Sequence, residues 1–168
     1  MSQIALQCYT IRNLLKEKDQ TRQTLSQVRK IGYEDLEGGA GMGGFSTPEL
    51  KALLQELGLK MIGIGAGLPQ VKDEPKKLAE TAKSIGAASV MFSGSQKDFE
   101  TVDGIKTLAK ILNAGAKVLA GEGITFLYHN HDHEFVNHGG KAGHRILAEE
   151  APDIKFEVDV HWVARGGG

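Results

Sequence analysis

Six short apolar runs recur along this chain, each of the first five followed by a stretch that can wind back over it, and that alternation constrains the fold more than any other feature. Ile4 to Tyr9, Tyr33 to Glu37, Leu59 to Ile64, Ala88 to Phe92, Ile124 to His129 and Ile154 to Asp159 read as strands. Gln20 to Lys30, Ser46 to Gly58, Lys72 to Ile85, Val102 to Leu119 and Gly143 to Glu150 read as helices between them, and no helix is read after the sixth strand. Ser46-Thr47-Pro48-Glu49 is a helix start: Ser46 can cap, Glu49 can reach back, and Pro48 suits the first turn. Much of the glycine excess (22 residues) marks turns, as at Gly32, Gly58, Gly86 and Gly123, where a helix ends before a strand begins.

Strict alternation calls for a parallel sheet with helices packed outside it. Right-handed crossovers then leave two arrangements, a doubly wound open sheet or a barrel. Gln7, Cys8 and Tyr9 follow strand one in place of a Gly-x-Gly-x-x-Gly turn, which weakens a dinucleotide-binding open sheet. The glycine-rich residues 38–46 lack the lysine of a phosphate-cradling P-loop and read as a mobile βα loop.

Length and charge narrow the function classes. A chain of 168 residues suits one domain, taken as residues 1–168. With 20 basic and 21 acidic residues the net charge is -1, which favours neither nucleic acid nor an anionic membrane. Cys8 is the lone cysteine, so no internal disulfide can form and a reducing, cytoplasmic setting is expected. Met1-Ser2-Gln3 opens without the charged start of a signal peptide, and no apolar run approaches the ~18 residues a membrane helix needs.

Two segments carry chemistry. Tyr128-His129-Asn130-His131-Asp132-His133-Glu134-Phe135 begins at the C-terminal end of strand five, the end that faces the active site in parallel βα proteins. Along an extended segment His129, His131 and His133 would point to one side and could converge on a cation. In Phe156-Glu157-Val158-Asp159-Val160-His161-Trp162, Glu157 and Asp159 share one face of strand six, with Asp159 at its end. Carboxylates facing a sheet interior need a partner, a proton or a metal. Imidazole plus carboxylate without a nearby cysteine suits Mn²⁺, Zn²⁺, Mg²⁺ or Co²⁺.

In these two segments, and in Leu6-Gln7-Cys8-Tyr9-Thr10-Ile11-Arg12 and Ile31-Gly32-Tyr33-Glu34-Asp35-Leu36-Glu37, the chain resembles the xylose isomerase-like TIM-barrel superfamily of sugar phosphate isomerases and epimerases. The resemblance spans essentially the whole chain. It implies an α/β fold, an incomplete TIM (β/α)₈ barrel with six parallel β/α units present and strands seven and eight missing. It implies one divalent cation on glutamate, aspartate, histidine and glutamate from strands five to eight. Asp159 matches the aspartate, and His129 stands where many relatives carry the first glutamate, so His129 and Asp159 are the metal candidates and His129 and Glu134 the acid/base candidates. Tyr9, Arg12, Glu37, Asn130, His131, His161 and Trp162 are the substrate-binding candidates. Gly65 stands where many relatives have a histidine at the end of strand three.

The activity implied is proton transfer next to a carbonyl through a metal-stabilised enediolate on a small carbohydrate. Alternatives are a lyase or dehydratase acting on keto-sugars or 3-keto-glycosides, and a non-catalytic, sugar-binding barrel fragment. A complete barrel of this kind takes ~250 residues. The expectation is therefore a shortened chain, impaired in activity and metal retention, whose open sheet edges a second copy could cover.

Overall fold

Strands adjacent in sequence are adjacent in space: six parallel strands pair in the order β1-β2-β3-β4-β5-β6. The computed structural model describes residues 4–168, so the Met1-Ser2-Gln3 opening lies outside the described residues. The strands are β1 (Ala5–Gln7), β2 (Asp35–Gly38), β3 (Lys60–Gly65), β4 (Ser89–Phe92), β5 (Thr125–His129) and β6 (Lys155–Glu157). The helices are α1 (Lys18–Ile31), α2 (Thr47–Leu57), α3 (Leu68–Asp73), α4 (Pro75–Ile85), α5 (Val102–Gly121), α6 (Gly143–Glu150) and α7 (Val160–Gly166). A doubly wound sheet must reverse its strand order somewhere. This order never reverses, and the fold is an incomplete (β/α)₈ barrel with six strands among the described residues.

The chain forms two compact units, one comprising residues up to Ala66 with Ala79–Val90, the other Gly67–Leu78 with Met91–Gly168. In the first, α1 buries Leu25 and Val28, and α2 buries Leu50, Leu53 and Leu54, while Leu36, Met61, Ile64 and Val90 are among the buried strand residues. The α2 start forms as its sequence requires: the Glu49 carboxylate accepts from the Ser46 N–H and hydroxyl, both at 2.8 Å. Gly58 ends the helix at φ 67, a conformation that costs any side chain. In the second unit α5 buries Ile105, Leu108, Leu112 and Leu119 and packs on α6, which buries Ile146 and Leu147.

Four elements differ from the sequence reading. The helix expected over 72–85 is two, α3 and α4, because Pro75 cannot donate its N–H and pushes Glu74 out of helical geometry (φ -130, ψ 39). Strand one stops at Gln7, and Cys8–Leu14 winds as a 3₁₀ helix. The glycine-rich loop contains a 3₁₀ turn, Met42–Gly44, tied down by the Gly43 N–H donating to the Leu15 carbonyl at 3.1 Å. Strand six ends at Glu157, and a helix the sequence reading omitted, α7, follows it with Asp159 as its N-cap.

Candidate active site

β5 and β6 pair in register, Leu127 with Lys155, Tyr128 with Phe156 and His129 with Glu157. Side chains alternate across a strand. His129 and Glu157 therefore lie side by side on one face, and Tyr128 and Phe156 on the other. Glu157 Oε1 is 3.3 Å from His129 Nδ1.

The next residues extend this pairing through a side chain. Asn130 is fully buried; its Oδ1 accepts from the Asp159 N–H at 2.9 Å and its Nδ2 donates to the Asp159 carbonyl at 3.2 Å. The amide acts as one more ladder rung and fixes Asp159 beside His129. Asp159 Oδ1 then accepts from the N–H groups of His161 (2.9 Å) and Trp162 (3.3 Å), capping α7. Its other oxygen, Oδ2, faces His129 Nε2 at 3.9 Å. Asp159 lies beyond the end of β6, so its place comes from Asn130 and the cap rather than from strand alternation with Glu157.

His129, His131 and His133 do not lie along an extended segment. The chain turns after His129 and forms a 3₁₀ helix at His133–Phe135. The three rings still form a row: His129 meets His131 edge-on at 5.2 Å between centroids, and His131 stacks on His133 at 5.6 Å and 9°. Burial is the main cause that lowers the His131 pKa, with Glu134 pulling the other way.

Glu134 holds this turn together. It is fully buried; Oε1 accepts from the Tyr128 hydroxyl and Oε2 from the His131 N–H, both at 2.8 Å. The Gly94 N–H donates to the same tyrosine oxygen at 3.1 Å, which commits the hydroxyl proton to Glu134. Only glycine fits there, since a Cβ on residue 94 would stand 2.6 Å from that oxygen. Burial, then the Glu134 charge, raises the Tyr128 pKa, so the hydroxyl stays a donor. Both oxygens of this enclosed carboxylate accept hydrogen bonds from the turn itself, so Glu134 positions Tyr128 and His131. His133, read in the sequence as one of three histidines that could converge on a cation but given no role by the family resemblance, comes within 3.4 Å of Glu134 through Nε2. Its alternation with His129 and His131 was the available signal.

Trp162 stands 5.3 Å from the His131 ring and 5.0 Å from the His161 ring, with the Arg165 guanidinium 5.5 Å from its centroid. Arg165 Nε donates to Asp132 Oδ2 at 2.9 Å; burial is the largest single influence on Asp132 and raises its pKa, but the Arg165 bond, a backbone hydrogen bond and the Arg165 and His133 charges together hold it below the usual carboxylate range. Tyr9, Arg12 and Glu37 belong to the first unit. Tyr9 is exposed, with the Arg12 guanidinium 4.2 Å above its ring and Arg12 Nη1 donating to its carbonyl at 2.9 Å. Glu37 accepts from Gln7 Nε2 at 3.5 Å. Burial first, then Glu37, pushes the nearby Cys8 thiol up to about 12, so this cysteine is a packed thiol and not a nucleophile.

The donor set at His129 and Asp159 fits a divalent cation. Ligands at roughly 2.0–2.2 Å from one ion can stand as far apart as these two atoms do. A carboxylate behind the second imidazole nitrogen is the usual support of a ligating histidine.

The chain belongs to the xylose isomerase-like TIM barrel family, whose model matches residues 25–165. Solved structures share its fold. A sugar phosphate isomerase/epimerase from Parabacteroides distasonis has a TM-score of 0.82 at 22% identity, over 98% of this chain and 68% of its own. A probable 3-DHS dehydratase from Bacillus anthracis, involved in petrobactin synthesis, gives 0.68 at 14% identity, over 99% and 66%. A xylose isomerase-like TIM barrel protein from Mycobacterium smegmatis, in complex with magnesium, gives 0.67 at 11%, over 95% and 66%. The chain thus spans about two thirds of the length of these structures. No curated protein matches it in sequence. Among the described residues no helix is long and apolar enough to cross a membrane.

Proposed function

We propose that this chain acts on a small carbohydrate as a divalent-metal-dependent isomerase or epimerase, moving a proton at the carbon next to a carbonyl. One observation carries the reading: His129 Nε2 and Asp159 Oδ2 face each other across 3.9 Å with Glu157 behind the ring. In this reading His129 and Asp159 hold the cation. Glu157 keeps the imidazole proton on Nδ1, so that Nε2 offers its lone pair. That single lone pair cannot hold a cation and take a proton at once, so His129 is assigned the ligand role; with Glu134 enclosed, the proton is taken and returned by His161, the exposed imidazole beside Trp162. Asn130 fixes the Asp159 backbone against β5. Trp162 offers an apolar face to a sugar ring, with His131 and His161 as polar edges beside it. A bound divalent cation would supply Lewis acidity to the carbonyl and neighbouring hydroxyl oxygens.

Exchange in heavy water tests this without requiring full turnover. A ketopentose or ketohexose is incubated with the protein and Mn²⁺ or Mg²⁺ in D₂O, and deuterium next to the carbonyl is followed by NMR. The expected result is metal-dependent incorporation that falls to background in Asp159→Asn and by about 10–100-fold in Glu157→Gln. Loss of water with a new conjugated-ketone absorbance would assign the dehydratase class instead. No exchange with any ketose, metal present, would contradict both.

A further inference from the structure

We infer that His131, His133 and Glu134 form a second cation site, for a transition metal of the zinc type, separate from the His129 and Asp159 pair. One ligand atom from each of the three lies within 4.8 Å of the others. Two imidazoles and a carboxylate are a donor set that such metals take. The two sets share no residue, so this inference goes beyond the proposed activity and stands without it.

The case rests on an unmet charge. Glu134 is fully buried, and its hydrogen-bond donors, the Tyr128 hydroxyl and the His131 N–H, are both neutral. A buried carboxylate demands a positive partner. Among the described residues no lysine or arginine pairs with it, and the one approaching group is His133 Nε2 at 3.4 Å. That nitrogen is buried and makes no hydrogen bond, and His131 Nδ1 is in the same state. A bare His133 nitrogen beside a buried carboxylate, with a ligand atom of His131 within 4.8 Å of both, is what a cation would satisfy.

The surroundings suit one. His133 Nδ1 faces Asp132 Oδ1 at 3.9 Å, and Arg165 holds Asp132 in place by its other oxygen. A carboxylate behind Nδ1 favours the proton there and leaves the Nε2 lone pair toward Glu134. Phe99 stands 5.7 Å from the His133 ring and Trp162 flanks His131, so part of the wall is aromatic. Both histidines keep partial exposure, which leaves a way in.

Calorimetric Zn²⁺ titration of the metal-stripped protein tests the site, with the visible spectrum of the Co²⁺ form as a second readout. Asp159→Asn removes the other pair while leaving a good helix cap. In that background one Zn²⁺ per chain should still bind, and Co²⁺ should give ligand-field bands. Adding His133→Gln should weaken Zn²⁺ by about 100-fold or more, beyond the cost of an outer-shell partner. His131→Gln should do the same, and near-UV circular dichroism establishes that each variant is folded. A folded His133→Gln or His131→Gln variant that binds Zn²⁺ as tightly as its parent overturns the inference. So does an Asp159→Asn protein that binds none.

Discussion

The two compact units differ in the polar networks they enclose. In the first, Lys18–Glu49, Arg22–Glu56 and Arg29–Glu34 are ion pairs at the surface, with side chains about half exposed. Lys18 holds the Glu49 carboxyl down at about 2, aided by Ser46, yet water surrounds the pair. In the second, Glu134 and Asn130 are fully enclosed, and His129 nearly so, at the end of β5. Exposed pairs are screened and contribute little. Enclosed polar groups cost much unless each is satisfied, so their arrangement is specific. The second unit carries exposed pairs as well, such as Lys141–Glu149, so what sets it apart is the enclosed network at the end of β5.

Breaking the enclosed network should have the largest effect. Glu134→Ala strips the acceptor from the Tyr128 hydroxyl and the His131 N–H, and two orphaned donors should cost about 2–5 kcal/mol. Urea unfolding measures it; a loss below about 1 kcal/mol would mean that water replaces the carboxylate.

A pH effect comes next. His144 lies between Phe135, stacked at 5.3 Å, and Phe156 at 4.7 Å, and burial lowers its pKa below 6.5 against the pull of Glu134. The unfolded chain then binds the proton more readily than the native one. The stability tied to a neutral His144 is fully present above 6.5 and is lost as pH falls from there through the depressed native value. Urea midpoints across that range should drop with acidification, and His144→Leu should flatten the drop. An unchanged slope would refute the assignment.

The smallest effect belongs to the surface. Arg22→Ala in the Arg22–Glu56 pair should change stability by about 0–1 kcal/mol. A larger loss would erase the contrast between the units.

The fold was largely legible because alternation, caps and glycine stops are local signals. Ser46 to Gly58 announced α2 at both ends, and the strand positions followed from apolar runs. Pro75 also announced the break between α3 and α4, but the apolar spacing on either side reads through it. The α7 helix went unread because Val160–Gly166 is too short for a periodic signal. Histidine convergence was legible, yet its cause was not. The rings are gathered by a 3₁₀ turn held on Glu134, and a single sequence does not show which carboxylate turns inward. The Asn130 clamp on Asp159 was equally hidden, since it joins residues 29 apart in sequence.

The most direct measurement is pulsed electron paramagnetic resonance of Mn²⁺ bound to a His133→Gln parent, in which the second site is disabled; it detects nitrogen bonded to the ion. The account predicts a directly coupled imidazole nitrogen that disappears in His129→Gln, and loss of tight Mn²⁺ binding in Asp159→Asn. A nitrogen coupling that persists in His129→Gln, or Mn²⁺ held as firmly by Asp159→Asn as by the parent, would contradict it.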